Sequence, residues 1–135
     1  MREVTFHIES WPTRFPFRIT GYTFTEVRML YVTIAENGLT GRGEASGVYY
    51  LNETAETLLA QAETVKSALQ QGLSRQQLQT LLPAGGARNA IDCALWDLEA
   101  KQTGKRIWAL TNIQLSEIIT VNTVGIGSPI EMAAT

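Results

Sequence analysis

The sequence predicts an α+β fold, a three-stranded antiparallel meander followed by a bundle of helices. Alternating and β-branched runs joined by an Asn-Gly dipeptide occupy the first third of the 135 residues. Apolar residues at helical spacing occupy the middle of the chain, and a last strand-like run leads into a helix start. We therefore expect one domain over residues 1–112 and the first unit of a β/α domain over residues 113–135.

Three strands are predicted at the start of the chain. Val4–Ile8 alternates apolar and polar residues, as a half-buried strand does. Val27–Ile34 and Leu39–Glu44 flank the Asn-Gly dipeptide, which is typical of a two-residue hairpin turn. The stretch 12–21 contains two prolines, so we expect it to be a loop.

Three helices are predicted in the middle of the chain. Apolar residues recur at helical spacing over 58–69, and Gly72 follows. A Ser-x-x-Gln capping box at 74–77 opens a second, shorter helix. The third helix has an apolar stripe of mostly small residues over 87–98 and a C-terminal glycine at Gly104, which predicts close packing of this helix.

The end of the chain predicts a strand and a helix start. Residues 118–124 alternate like a strand, and Ser128, Pro129 and Glu131 form an N-cap, an N1 proline and a capping-box acid. A strand followed by a capped helix opens a β/α repeat, whose parallel partner strand comes from further along a chain. We therefore expect this sequence to be a fragment of a longer protein.

Composition limits the partners and the compartment. The chain has 11 Lys and Arg against 13 Asp and Glu, a net charge of −2, so we expect no binding to nucleic acid. No apolar stretch approaches the ~20 residues that span a bilayer, so we expect no membrane partner and a cytoplasmic protein. Cys93 is the single cysteine, so no internal disulfide is predicted, and we expect it to pack as a small hydrophobe.

Residues 1–135 offer little catalytic chemistry of their own. Ser46 and Cys93 have one possible histidine partner, His7, so a catalytic triad is not predicted. No His or Cys pair has metal-ligand spacing, and the acids are interpreted as solvated surface carboxylates. These acids are Glu44, Glu53, Glu56, Glu63, Asp92, Asp97 and Glu99. We expect no catalytic residue and no metal ligand in this chain.

Three motifs, in this order, resemble the N-terminal capping domain of the enolase superfamily. They are the Asn-Gly meander, the strand end Gly41-Arg42-Gly43-Glu44, and the helix sequence Ala87–Leu98 followed by Lys101 and Gly104. The run Ala-x-x-Ala-Ile-Asp-x-Ala-Leu-Trp-Asp in that helix is the most specific of them. The muconate-lactonizing branch is the most similar, and 113–135 then corresponds to the truncated start of a β/α barrel.

The resemblance implies an enzyme whose chemistry lies elsewhere in the full-length protein. In this superfamily the barrel holds magnesium on three acids, and barrel lysines move the proton alpha to a carboxylate. The parent would be a Mg-dependent racemase or epimerase, most similar to dipeptide epimerases, with a small-molecule substrate and a homo-oligomeric state. The chain alone would be inactive.

The resemblance also implies substrate-binding residues in two cap loops, 17–25 and 45–53, and on the first barrel strand. The predicted substrate-binding residues are Thr20, Tyr22, Phe24, Tyr49, Tyr50 and Thr123. Epimerases of Ala-Glu dipeptides have an arginine in the middle of the first loop, whereas this chain has Thr20 to Phe24 there. We therefore expect hydrophobic dipeptides to be preferred, unless Arg18 replaces that arginine.

Other functions share the same capping motif. A muconate cycloisomerase, an acid-sugar dehydratase or an N-acyl amino acid racemase would use the same ene-diolate chemistry, and barrel motifs would distinguish them. A non-catalytic, stand-alone folding or interaction module is the alternative from a different class.

Overall fold

The computed structural model describes residues 1–121 and 123–133. The strands are β1 (Glu3–Ile19), β2 (Tyr22–Glu36) and β3 (Leu39–Ser46), followed by a 3₁₀ turn at Tyr49–Leu51. The helices are α1 (Ala55–Thr64), α2 (Lys66–Gln70), α3 (Arg75–Leu81), α4 (Gly86–Thr103), α5 (Ile107–Leu110) and α6 (Pro129–Ala133). The predicted α+β class is confirmed.

The chain forms two compact units. The first contains Met1–Glu9 and Arg28–Gln114, and the second contains Ser10–Val27 and Leu115–Thr135. The predicted domain boundary between residues 112 and 113 stays a prediction. Of the helices in the described residues, none has the length and apolar character needed to cross a membrane.

The sheet has the predicted meander order, β1-β2-β3. β2 pairs antiparallel with β3 from Glu36 opposite Leu39 to Met29 opposite Ser46. The two residues between them have positive φ angles, 53° at Asn37 and 78° at Gly38, as a type I′ turn requires. The Asn-Gly hairpin prediction is therefore confirmed.

The predicted loop over 12–21 is wrong, because β1 continues through both prolines to Ile19. β1 is an edge strand. Proline, which has no N–H to donate, is tolerated in an edge strand at positions that face no neighbouring strand. The loop shrinks to a turn at Thr20 and Gly21, where Gly21 has φ 79°. The first specificity loop predicted over 17–25 is therefore the tip of a β-hairpin, called the hairpin tip below.

The core of the first unit lies between the sheet and the helices. Leu30, Val32 and Ile34 on β2 are fully buried. The predicted apolar stripe of α4 is buried as well; it consists of Ala87, Ala90, Ile91, Ala94, Leu95 and Leu98. α4 packs directly on β3, where a Cβ at Gly41 would strike the Ala94 carbonyl oxygen and one at Gly43 the Ala90 carbonyl oxygen. The glycines of the Gly-x-Gly-Glu motif thus allow the helix to approach the strand closely.

The helix predicted over 58–69 is divided into α1 and α2. The Val65 N–H bonds to the Ala62 carbonyl at 3.2 Å, three residues back, and the Thr64 hydroxyl donates to the Gln61 carbonyl at 2.6 Å. A threonine hydroxyl that competes for a helix carbonyl favours such a break.

The other predicted helix signals are confirmed. Ser74 and Gln77 exchange both bonds of the capping box that opens α3. Gly72 has φ 98° after α2, and Gly104 ends α4 with φ 66°. Each glycine adopts a conformation that a side chain would strain.

The strand predicted over 118–124 is wrong for all residues described there, since none of them has strand structure. A strand persists only when neighbouring strands satisfy its backbone groups. Just beyond this stretch, the Ile126 N–H donates to the Arg18 carbonyl of β1 at 2.8 Å. The helix start is confirmed: Glu131 accepts from the Ser128 N–H at 2.8 Å and donates its own N–H to the Ser128 hydroxyl at 3.3 Å.

Candidate functional site

The second predicted specificity loop forms a tight turn in the first unit; we call residues 47–53 the tyrosine loop. The Val48 carbonyl accepts from Leu51 at 2.9 Å and from Glu53 at 3.3 Å, and Asn52 has φ 57°. The rings of Tyr49 and Tyr50 meet edge to face, with centroids 5.2 Å apart. Both remain exposed, Tyr49 at 49% and Tyr50 at 72%, so this aromatic pair is available to a ligand.

A cavity of about 500 Å³ lies beside the tyrosine loop. Its wall joins the end of β3 to the loop before α4, and it contains Met29, Glu44, Ala45, Ser46, Val48, Leu51, Glu53, Gly85, Gly86 and Asn89. Glu44 is the acid of the Gly-x-Gly-Glu motif. The motif therefore brings one carboxylate to this cavity while its glycines accommodate α4.

Glu53 is a site residue that sequence reasoning missed. It was expected to be a solvated surface carboxylate, but one carboxylate oxygen accepts from the Gly86 N–H at 2.9 Å. The other accepts from the Val48 N–H at 3.2 Å. The sequence signal was weak, because these partners are separated by 38 residues and meet only in the folded chain.

The hairpin tip forms an aromatic cluster in the second unit. Tyr22 and Phe24 have ring centroids 4.4 Å apart, and Phe17 lies 6.2 Å from Phe24. Tyr22 is exposed and Phe24 half-buried, while Thr20 lies exposed in the turn. The structure thus brings the rings of Tyr22 and Phe24 together on one hairpin, and their role in substrate binding stays a prediction.

The remaining second-unit residue predicted to bind substrate, Thr123, is exposed on irregular backbone. Next to it, a Cβ at Gly125 would lie 3.2 Å from the Phe17 ring, so this segment packs against the hairpin tip. Hydrogen bonds with Ser128 lower the pKa of the Glu131 carboxyl, and the charge of Arg18, which is exposed, adds a smaller effect in the same direction.

Several acids expected at the surface have structural partners in the first unit. Asp97 accepts from the Arg42 N–H at 2.8 Å and from the Lys101 ammonium at 2.7 Å. Glu99 pairs with Arg75 at 2.8 Å, and Glu56 pairs with Arg28.

Within residues 1–121 and 123–133, no group of three or more His, Cys, Asp or Glu side chains could hold a metal ion.

Cys93 corrects a further expectation. It lies on the exposed side of α4 instead of packing in the core, because the buried stripe of that helix runs through Ala90, Ala94 and Leu98. Partial desolvation, and then the neighbouring Asp92 carboxylate, raise the pKa of the Cys93 thiol. A raised thiol pKa disfavours the nucleophilic thiolate.

Comparison with known sequences identifies the family. Residues 1–111 match the mandelate racemase / muconate lactonizing enzyme N-terminal domain. The L-Ala-D/L-Glu epimerase of Escherichia coli K12 is 42% identical over 98% of this chain, which spans 42% of that protein. The hydrophobic dipeptide epimerase of Roseobacter litoralis is 36% identical over 94% of this chain, which spans 38% of that protein.

Solved structures share the fold. An enolase family member from Agrobacterium tumefaciens with homology to dipeptide epimerases, solved with sodium and L-Ala-L-Glu, has a TM-score of 0.90 and 34% identity, over 99% of this chain and 41% of its own. A dipeptide epimerase from Methylococcus capsulatus, solved with Mg and L-Arg-D-Lys, has a TM-score of 0.81 and 28% identity, over 98% and 40%. The chain therefore belongs to the enolase superfamily and is a mandelate racemase / muconate lactonizing enzyme N-terminal domain of the kind found in dipeptide epimerases.

Proposed function

We propose that the full-length protein is a magnesium-dependent dipeptide epimerase and that this chain supplies its substrate-selecting cap. The observation that carries the proposal is similarity to two dipeptide epimerases along more than nine-tenths of the chain. The two specificity elements support it, because each presents a pair of aromatic rings in contact.

The proposed reaction inverts the α-carbon of one dipeptide residue. A base removes the proton alpha to the carboxylate and an acid returns a proton to the opposite face. Magnesium held by the rest of the full-length protein would supply charge stabilisation for the negative charge that develops on the substrate carboxylate. The described residues of this chain do not fit such a metal site, so the proposal places the metal ligands and the acid and base in the rest of the protein.

The cap residues are proposed to orient the substrate side chain and to exclude water from it. Tyr22 and Phe24 on the hairpin tip, and Tyr49 and Tyr50 on the tyrosine loop, are aromatic surfaces suited to an apolar side chain. Thr20 and Thr123 are exposed and offer hydroxyl groups to the peptide. We therefore propose hydrophobic dipeptides as the preferred substrates.

A second candidate is epimerisation of acidic dipeptides. The higher identity to the L-Ala-D/L-Glu epimerase favours it, 42% against 36% for the hydrophobic dipeptide epimerase. In this chain Arg18 is the cation of the hairpin tip that could pair with a substrate carboxylate. We also propose that the full-length protein is a homo-oligomer. Residues 1–135 on their own should associate as well, since Ile118, Ile119 and Val121 expose 85% or more of their surface.

The test is proton exchange at the α-carbon. The full-length protein with Mg²⁺ is incubated in D₂O with L-Ala-L-Leu, and NMR follows the α-proton and the diastereomer ratio. We expect the α-proton of one residue to be replaced by deuterium as the second diastereomer accumulates. A dipeptide that keeps both α-protons and its configuration, across a panel of apolar and acidic dipeptides, would contradict the proposal.

A further inference from the structure

Glu53 connects two segments that are distant in sequence. One carboxylate oxygen accepts from the N–H of Gly86, the first residue of α4, at 2.9 Å. The other accepts from the N–H of Val48, the residue before the 3₁₀ turn that contains Tyr49 and Tyr50, at 3.2 Å. A single side chain thus fastens the tyrosine loop to a long helix that packs on the sheet.

Two glycines leave room for Glu53. A Cβ at Gly85 would lie 2.7 Å from the bonded carboxylate oxygen, and Gly85 also has φ 156°. A Cβ at Gly47 would lie 2.6 Å from the backbone carbonyl carbon of Glu53. Side chains at either position would force the carboxylate or the loop to move, so the local sequence fits the contact on both sides.

The contact also stabilises the start of α4. The N-cap of α4 is Gly85, which has no side chain with which to satisfy the first N–H groups of the helix. A carboxylate there accepts one of these N–H groups and interacts favourably with the helix dipole. Since α4 is 18 residues long and lines the core, it is a rigid element to which Glu53 can attach the tyrosine loop.

We infer that Glu53 is a positioning residue for substrate selection, one that holds Tyr49 and Tyr50 in their binding arrangement through the tyrosine loop. The inference rests on the proposed function for its catalytic consequence. Both tyrosines are exposed, so the turn itself, more than burial of their rings, fixes their orientation. A loop ordered before the substrate arrives loses less conformational entropy on binding.

Hydrogen exchange tests the contact directly. The full-length protein is compared with Glu53→Ala, Glu53→Gln and the control Glu63→Gln, which removes an exposed carboxylate of α1 that pairs with Lys66. We expect at least tenfold faster amide exchange over residues 47–53 in Glu53→Ala. Glu53→Gln should give a smaller rise, because its amide oxygen still accepts one N–H while its NH₂ group cannot accept the other. The control and the amides of β3 should keep the wild-type rates.

Kinetics separates positioning from general stability. We expect Glu53→Ala to raise KM for an apolar dipeptide about fivefold while kcat stays within about twofold, whereas loss of folded enzyme would lower kcat at constant KM. Unchanged loop exchange, exchange that rises equally across β3 and α4, or an unchanged KM would overturn the inference. Wild-type protein that epimerises no dipeptide would overturn the proposed function instead, and the exchange pattern would still decide whether Glu53 holds the loop.

Discussion

Arg75 makes two kinds of side-chain contact in the first unit, one with an aromatic ring and one with a carboxylate. Its guanidinium carbon lies 3.2 Å from the centroid of the Trp96 ring. Its Nε and Nη2 both donate to one carboxylate oxygen of Glu99, at 3.1 and 2.8 Å. Arg75 opens α3 and both partners lie on α4, so these contacts tie the two helices together.

Replacing Arg75 should weaken this tie. We expect Arg75→Ala to lower the free energy of unfolding by about 1–2 kcal/mol, given that Glu99 is partly exposed. Arg75→Lys should recover only part of the lost free energy, because lysine keeps the positive charge but lacks the planar guanidinium that covers the ring and donates twice to the carboxylate. The control is Arg106→Ala, whose guanidinium lies 5.5 Å from the Trp108 ring. Urea unfolding followed by circular dichroism measures both; equal losses in Arg75→Ala and Arg106→Ala would contradict the prediction.

Among the elements, the contact between β3 and α4 depends on the absence of side chains at two strand positions. Gly43→Ala would place a methyl group against the Ala90 carbonyl oxygen and 2.7 Å from the Ala94 nitrogen. Backbone atoms cannot move aside independently, so we expect a loss of about 2–3 kcal/mol in the free energy of unfolding.

Thr40→Ala is the matched control for Gly43→Ala. It changes the same strand at a half-buried position, where Lys101 binds the backbone carbonyl and not the side chain. Its cost should stay below about 1 kcal/mol. Thermal unfolding of the two variants would contradict the close-approach account if Gly43→Ala were no less stable than Thr40→Ala.

Glu36 links the end of β2 to α4 and to the N-terminus in a pH-dependent way. Gln102 donates to its carboxylate at 2.8 Å and Arg2 at 3.3 Å, and these contacts lower the pKa of Glu36 from its ordinary 4.5. The unfolded chain therefore takes up the proton more readily. The contribution of Glu36 to stability is complete above the ordinary pKa and is lost as the pH falls through the lower, folded pKa.

Urea unfolding of Glu36→Gln across pH measures this contribution. We expect the variant to be less stable than wild type by under about 1 kcal/mol near pH 7, because both partners are partly exposed. The difference should shrink as the pH drops below 4.5. Glu3→Gln, at an exposed position of β1, is the control. A difference that grows on acidification would show that the sign of the linkage is wrong.

The elements also show how far a sequence alone can go. The Asn-Gly turn, the capping boxes of α3 and α6 and the buried stripe of α4 depend on neighbours within a few residues, so local patterns predicted them. The extension of β1 through its prolines depends on its place at the sheet edge, which no local pattern shows.

Some features of the candidate site could likewise be predicted from the local sequence, and others could not. The two aromatic pairs could be predicted, because their members are one or two residues apart in sequence and so lie close in space. They are Tyr49 with Tyr50 and Tyr22 with Phe24. The role of Glu53 could not, since its partner Gly86 lies 33 residues away. The strand predicted over 118–124 is absent from the described residues of that range for a related reason, because strand structure depends on pairing as well as on alternation.

For the whole molecule, selection and chemistry are proposed to lie in different parts. We expect residues 1–135 alone to show no saturable magnesium uptake in a calorimetric titration and no epimerase activity, because the described residues bring no metal-binding group of acids together. The full-length protein, titrated in parallel, should take up magnesium stoichiometrically. A stoichiometric, micromolar magnesium site on residues 1–135 would contradict this division.

The central claim is that the cap sets the substrate preference, and it is tested most directly by kcat/KM of the full-length enzyme on L-Ala-L-Leu, L-Ala-L-Phe and L-Ala-L-Glu. The comparison includes Tyr50→Ala and Arg18→Ala. We predict a higher kcat/KM for the Leu or Phe dipeptide than for the Glu dipeptide. Tyr50→Ala should reduce the ratio of these kcat/KM values by up to about tenfold, because apolar contact with the substrate is lost. Arg18→Ala should leave the preference nearly unchanged, because the contacts proposed to favour an apolar side chain come from aromatic rings and involve no charge. A preference for Glu that Arg18→Ala abolishes would contradict the account.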